Sequence, residues 1–223
     1  MGYRAIALSQ VDGTDGELVG RDLAQQLGFG YLNEAIVAQV AKDYGVDTAV
    51  VAEAERRKSF LTRVAEMTAR GAVDVVPDPS LYVPDQTDTL LSLIQDAVRD
   101  AADRGSVVLV AHAACYACVD LPQVLRVCIT APLQTKASRM ASALGISDKE
   151  AARSLRRSDA GRASYLKRVY GVDAESPADY DVVINTERLT ADVAVGLILG
   201  LVQPSGASSL PSAGRPGTPA SRR

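Results

Sequence analysis

The chain has no tryptophan, two phenylalanines and one histidine among its 223 residues. With so few aromatics the core must be built from Val, Leu, Ile and Ala, and 47% hydrophobic residues over this length suffice for one sizeable core and one domain. Three cysteines cannot form a disulfide framework, which agrees with a reducing compartment. No apolar run approaches the roughly 18 residues of a membrane helix, so no membrane partner is expected. An excess of positive charge is also missing. The net charge is −3 and the pI about 5.3, which argues against broad nucleic-acid binding and leaves only a localised basic site open. The opening M-G-Y-R-A-I-A-L-S runs straight into an apolar stretch without room for a secretory leader, and the expected location is cytoplasmic.

Lysine is absent as far as Lys42, and this absence bears on the stretch Ala5 to Gly28. An apolar run, Ala5-Ile6-Ala7-Leu8, leads into a loop holding Gly13 and Gly16. Beyond it Leu18, Val19, Leu23 and Leu27 recur at helical spacing, so the stretch reads as strand, glycine loop and helix. Such a turn aims backbone N–H groups and the positive end of a helix dipole at an anion, usually phosphate. A Walker loop, G-x-x-x-x-G-K-[ST], adds a lysine for the β/γ-phosphates and a hydroxyl for Mg²⁺. Both are missing here, and a tight turn that binds nothing is the alternative.

Downstream, Phe29 to Leu32 is extended, and Asn33 is placed to cap a helix Glu34 to Tyr44. A second helical stretch, Asp47 to about Ala69, carries Glu53, Glu55, Arg56, Arg57 and Lys58 on what reads as a solvated face. Gly71 to Gln86, with Pro77, Pro79 and Pro84, reads as a long surface loop. Thr87 to Arg104 is helical, closed by Gly105. Strands are expected at Ser106–Ala111, Val124–Thr130 and Asp181–Asn185, and helices at Leu133–Leu144, Ser147–Arg157, Asp159–Tyr170 and Thr190–Leu201. This alternation predicts an α/β fold with a central parallel sheet and right-handed crossovers. Ligands of such sheets sit beyond the carboxyl ends of the strands, which puts the loop Ser9 to Gly16, the turn at His112 and the segment after Thr130 on one rim. Residues 203–223, rich in Ser, Pro, Gly and Arg, read as a disordered tail.

Two clusters carry chemistry. Arg139, Arg153, Arg156, Arg157, Arg162, Lys167 and Arg168 concentrate positive charge in an acidic chain, and arginine's fixed fork of donors suits phosphate oxygens. Local neutralisation by Asp148, Glu150 and Asp159 is the competing account. The run His112-x-x-Cys115-x-x-Cys118, with Cys128 downstream, is the other cluster. A Cys pair at a helix start can ligate zinc or lower a thiol pKa, and equally can be small core residues on one helix turn.

R-R-S-D-A-G-R-A-S-Y-L-K-R-V-Y-G (Arg156 to Gly171) followed by Y-D-V-V-I-N-T-E-R-L-T (Tyr180 to Thr190) resembles the C-terminal half of the cytidylate kinase-like family of P-loop proteins. Ile129 to Met140 is similar to the family's strand and helix whose arginine helps clamp the phosphate donor. Val107 to Asp120 resembles a strand and turn reading V-I-V-G-R-x-A in the family, and the N-terminal loop resembles S-R-x-x-G-S-G-G, which also lacks the Walker lysine. The resemblance covers about residues 3 to 201. It implies a P-loop kinase type three-layer sandwich with a helical lid at about 145–170 and a monophosphate-binding insertion at about 45–90, all within a domain 1–202. It further implies ATP and Mg²⁺ as cofactors, nucleotides as partners, and phosphoryl transfer to a nucleoside monophosphate such as CMP or dCMP. Arg139, Arg153, Arg157 and Arg162 are then the arginines that act on the phosphates, and Ser9, Gly13, Thr14, Asp15, Gly16 and His112 the nucleotide-binding set.

The chain departs from the family at three places. Gln10 stands for a loop arginine, Asp15 for a small loop residue, and Ala111-His112 for Gly-Arg. A carboxylate about 4 Å from a phosphate oxygen costs roughly 1 to 4 kcal/mol at effective dielectrics of 80 to 20. Two outcomes stay open: Asp15 or Asp12 serves as an oxygen ligand for Mg²⁺, or the chain is a catalytically degenerate nucleotide-binding or regulatory protein.

Overall fold

The computed structural model describes residues 2–33, 88–111 and 113–202. The readings for the helices between Glu34 and Ala69, for the loop Gly71 to Gln86 and for the C-terminal tail lie outside these residues, as does His112. Five apolar segments form strands: β1 (Ala5–Gln10), β2 (Gly30–Asn33), β3 (Val107–Ala111), β4 (Val124–Thr130) and β5 (Val182–Asn185). They pair in the order β2-β3-β1-β4-β5, all parallel, so β1 is the central strand. Every residue of β3 and the first five of β1 are buried, as expected of parallel strands covered on both faces. Ala5 pairs with both Val107 and Val124, and this register brings Ser9 level with Ala111 and Cys128. The carboxyl ends of β1, β3 and β4 therefore share one rim.

Among the described residues six α-helices accompany the strands: α1 (Gly16–Leu27), α2 (Asp88–Arg104), the single turn α3 (Ala114–Ala117), α4 (Leu133–Leu144), α5 (Asp148–Tyr170) and α6 (Ala191–Val202). Helix α1 packs on β3 and α6, while α2 and α3 pack together against β1 and β3. Val19, Leu23 and Ala24 supply the buried face of α1; Leu18, read from its spacing as part of that face, is 52% exposed instead. Asn33 closes β2 as a buried residue.

Two sequence-based boundaries change. The helices expected at Ser147–Arg157 and Asp159–Tyr170 are one continuous helix of 23 residues. At the expected break, the Ser158 hydroxyl donates to Asp12 across the molecule, and the helix runs on through it. Nothing in the interval forbids helical backbone, since Gly161 has open space about it and lacks a positive φ. The true start is a capping box in which Ser147 and Glu150 satisfy each other's backbone N–H groups. Helices α4 and α5 form a hairpin with a small core of its own, Ala137, Ala141, Ala151 and Leu155, separate from the main core.

Gly20 sets how closely α1 approaches the sheet. A Cβ there would lie 2.4 Å from Val110 Cγ2 and 3.3 Å from the Tyr31 ring. Gly20→Ala must therefore push α1 off β3. Thermal or denaturant unfolding is expected to show a loss of about 1 to 3 kcal/mol despite alanine's better helix propensity.

Candidate functional site

The turn between β1 and α1 is held by short-range bonds. Thr14 donates its N–H and its hydroxyl to the Val11 carbonyl, at 3.2 and 2.7 Å. Gly13 has φ +77°, which a side chain rarely adopts, and a Cβ there would sit 2.8 Å from the Lys136 carbonyl oxygen. The loop thus lies directly against the start of α4. Gly16 opens α1 in close contact with Gln10, where a Cβ would fall 2.6 Å from that side chain. Asp15 occupies the N-cap position, yet its carboxylate makes no capping bond. The first N–H groups of α1 consequently receive no cap from Asp15, the arrangement that leaves a helix N-terminus open to anions.

Helices α4 and α5 close over this loop through polar contacts. Arg139 Nη1 lies 3.1 Å from Asp15 Oδ2. The same guanidinium donates to Thr186 Oγ1 at 3.1 Å and to the Thr186 carbonyl at 2.6 Å. Thr186 is fully buried and bonded to the Thr130 carbonyl through its N–H at 2.8 Å, so it is a fixed support. The Asp15–Arg139 pair is about one-third exposed on each side, and such pairs contribute only about 0 to 1 kcal/mol. Lys136 is buried and paired with Asp159 at 3.2 Å. Asp12 accepts from Ser158.

Arg162 is the most enclosed of the arginines read as phosphate ligands. It forms a two-pronged pair with Glu175, at 2.8 and 2.6 Å, and donates to the Gln10 carbonyl at 3.4 Å. Glu175 also accepts from the Tyr180 hydroxyl. Burial alone pushes the Glu175 carboxyl up, but the Arg162 guanidinium outweighs it and holds the group below its ordinary range. The same guanidinium is pushed up by Glu175 against its own burial. Arg153 and Arg157 are exposed on α5, with no pairing partner among the described residues. Of the expected neutralisers, Asp159 takes Lys136, Glu150 takes the helix cap, and Asp148 accepts from Gln134 and Ser138.

Ser9 lies behind the loop, fully buried, its hydroxyl accepting from the Cys115 N–H at 3.3 Å. The Cys115 thiol faces the carbonyls of Ala7 and Val127, and burial pushes it up to about 12. Cys118 is likewise pushed up by burial to about 12, and Cys128 to about 11. This is the reverse of the lowered pKa that redox or zinc chemistry requires. Among the described residues no group of three or more His, Cys, Asp or Glu is placed to hold a metal. Cys115, on α3, and Cys118, at its C-terminal end, are core residues.

Lys136, Glu175 and Thr186 were not anticipated as part of the site. Lys136 alone had a readable signal, lying three residues before Arg139 on the same helix face.

A glycine loop between β1 and α1, in a parallel sheet of this strand order, defines the molecule as an α/β protein of P-loop kinase type. The chain belongs to the cytidylate kinase-like family, whose profile matches residues 5–188. A cytidylate kinase from Methanopyrus kandleri is 30% identical over 114 residues, 48% of this chain and 59% of that relative. Another, from Ignicoccus hospitalis, is 25% identical over 194 residues, 86% of this chain and 95% of the relative. The structure of an uncharacterised protein from Eubacterium ventriosum superposes with a TM-score of 0.64 at 20% identity, covering 90% of this chain and 98% of that one. It has the same fold. No helix among the described residues is long and apolar enough to cross a membrane.

The Arg162–Glu175 pair has a pH consequence. Because the Glu175 carboxyl titrates below its ordinary value near 4.5, the folded chain binds fewer protons there than the unfolded one. Its contribution is complete above that value and is lost as pH falls through the depressed one. Glu175→Gln is expected to cost about 3 kcal/mol near neutral pH, by leaving a buried guanidinium uncompensated. It should also flatten the acid limb of a stability–pH profile measured by thermal unfolding.

Proposed function

We propose that this protein transfers the γ-phosphoryl group of ATP to a nucleoside monophosphate such as CMP or dCMP. The observation that carries the reading is the open N-terminus of α1 behind the glycine loop, with the Arg139 guanidinium held beside it by Thr186. Family membership over residues 5–188 supports it. In this reading the N–H groups of Gly13, Thr14 and Gly16 cradle phosphate oxygens, Ser9 braces the end of β1, and His112 belongs to the proposed nucleotide-binding set. Arg139, Arg153 and Arg157 act on the charge that spreads over the transferred group, and Arg162 sets the loop's floor while Glu175 holds it. Phosphoryl transfer asks for positioning and charge neutralisation rather than a protein nucleophile.

ATP and Mg²⁺ are the proposed cofactors. The donor set fits a magnesium ion modestly: Mg²⁺ is held by one or two carboxylates together with substrate phosphates, and Asp15 and Asp12 stand in the loop. The ion supplies charge neutralisation between phosphates when bound. The proposed domain runs from 1 to 202, with the lid at about 145–170 and the monophosphate-binding insertion at about 45–90. The proposed location is cytoplasmic.

A second reading is a nucleotide-binding protein without turnover. It is favoured by the engagement of Arg139 with Asp15 and of Arg162 with Glu175, which commits two of the four arginines internally. Calorimetric titration of ATP and CMP with Mg²⁺, followed by an ADP-formation assay, separates the two. The kinase reading expects turnover that falls about 10²-fold or more in Arg139→Ala and in Arg157→Ala. Binding with no ADP formed establishes the second reading, and absence of binding overturns both.

A further inference from the structure

Arg139 is a cation shared between a support and the loop. Its Nη1 and Nη2 donate to the Thr186 hydroxyl and carbonyl, and Thr186 is itself buried and tied to Thr130, so the guanidinium is held from that side. The same Nη1 also reaches the glycine loop, where it meets Asp15 at 3.1 Å. Asp15 holds the N-cap position without capping, so its carboxylate has left the helix N–H groups and gone to the arginine. An anion seated at the α1 N-terminus and drawn to Arg139 arrives where this carboxylate already lies.

We propose that Asp15 is an affinity-setting residue, a built-in competitor that occupies Arg139 in place of nucleotide phosphate and must release it when phosphate binds. This rests on the nucleotide-binding reading above. It differs from plain repulsion, because the competition operates through one named partner. Removing that partner abolishes the competition, whereas a charge acting across space on the phosphate does not depend on Arg139. The exchange involves no covalent step: one ion pair opens and another forms.

The test is a double-mutant cycle on the full-length protein, with ADP as the probe and EDTA present so that no metal bridges Asp15 to phosphate. Asp15→Asn is expected to bind ADP at least about threefold tighter than the parent chain by calorimetry, the scale of a partly exposed ion pair. In an Arg139→Ala background, or Arg139→Gln should the alanine variant not fold, the same change is expected to give no gain. A gain that persists without Arg139 overturns the proposal in favour of general repulsion. Unchanged or weaker binding in Asp15→Asn also overturns it, and leaves the nucleotide reading intact. No ADP binding by any variant overturns both.

Discussion

The buried guanidinium of Arg162 is the interaction on which the arrangement of the site depends. It sits on α5, and it grips Glu175 in the segment leading to β5 and the Gln10 carbonyl at the end of β1. One side chain therefore fixes three pieces of chain that are remote in sequence. A buried charge pair is a weak source of net stability compared with apolar packing, but it tolerates the loss of neither partner. Its value here is positional, because the carbonyl that Arg162 meets is the last link before the glycine loop begins.

Around that anchor, the loop and the helical hairpin are matched donor to acceptor. Asp12 receives Ser158 and Asp15 receives Arg139, while Asp159 receives Lys136 within the hairpin itself. Asp15 is one of the residues that set this chain apart in sequence. In isolation it is an added negative charge where phosphate is expected. In the fold it meets the Arg139 guanidinium on the opposing hairpin, so the two charges offset each other across the gap.

The centre of the sheet was legible because β3 and β4 are contiguous runs rich in β-branched and aliphatic residues whose burial needs no partner information. Thus Val107–Ala111 and Val124–Thr130 were found nearly to the residue. Arg139 was legible as a candidate because its helix follows a strand resembling the family's, and the structure puts its guanidinium beside the glycine loop. Arg162 showed its guanidinium but not its counter-charge, since Glu175 lies 13 residues on in a stretch without periodicity. Thr186 was illegible for the same reason, 47 residues from the arginine it supports. The Ser158–Asp12 bond was illegible too, since its partners lie 146 residues apart.

The hairpin of α4 and α5 keeps its own small apolar cluster, while its seam with the glycine loop is made of charges and hydroxyls. Those two kinds of contact answer to different variables. Ionic strength screens the seam over a distance of about 8 to 10 Å under ordinary conditions and leaves the apolar cluster untouched. Dissolved ions accordingly loosen the half-open Asp15–Arg139 contact first, while the buried Arg162–Glu175 pair and the apolar cluster keep the hairpin in place.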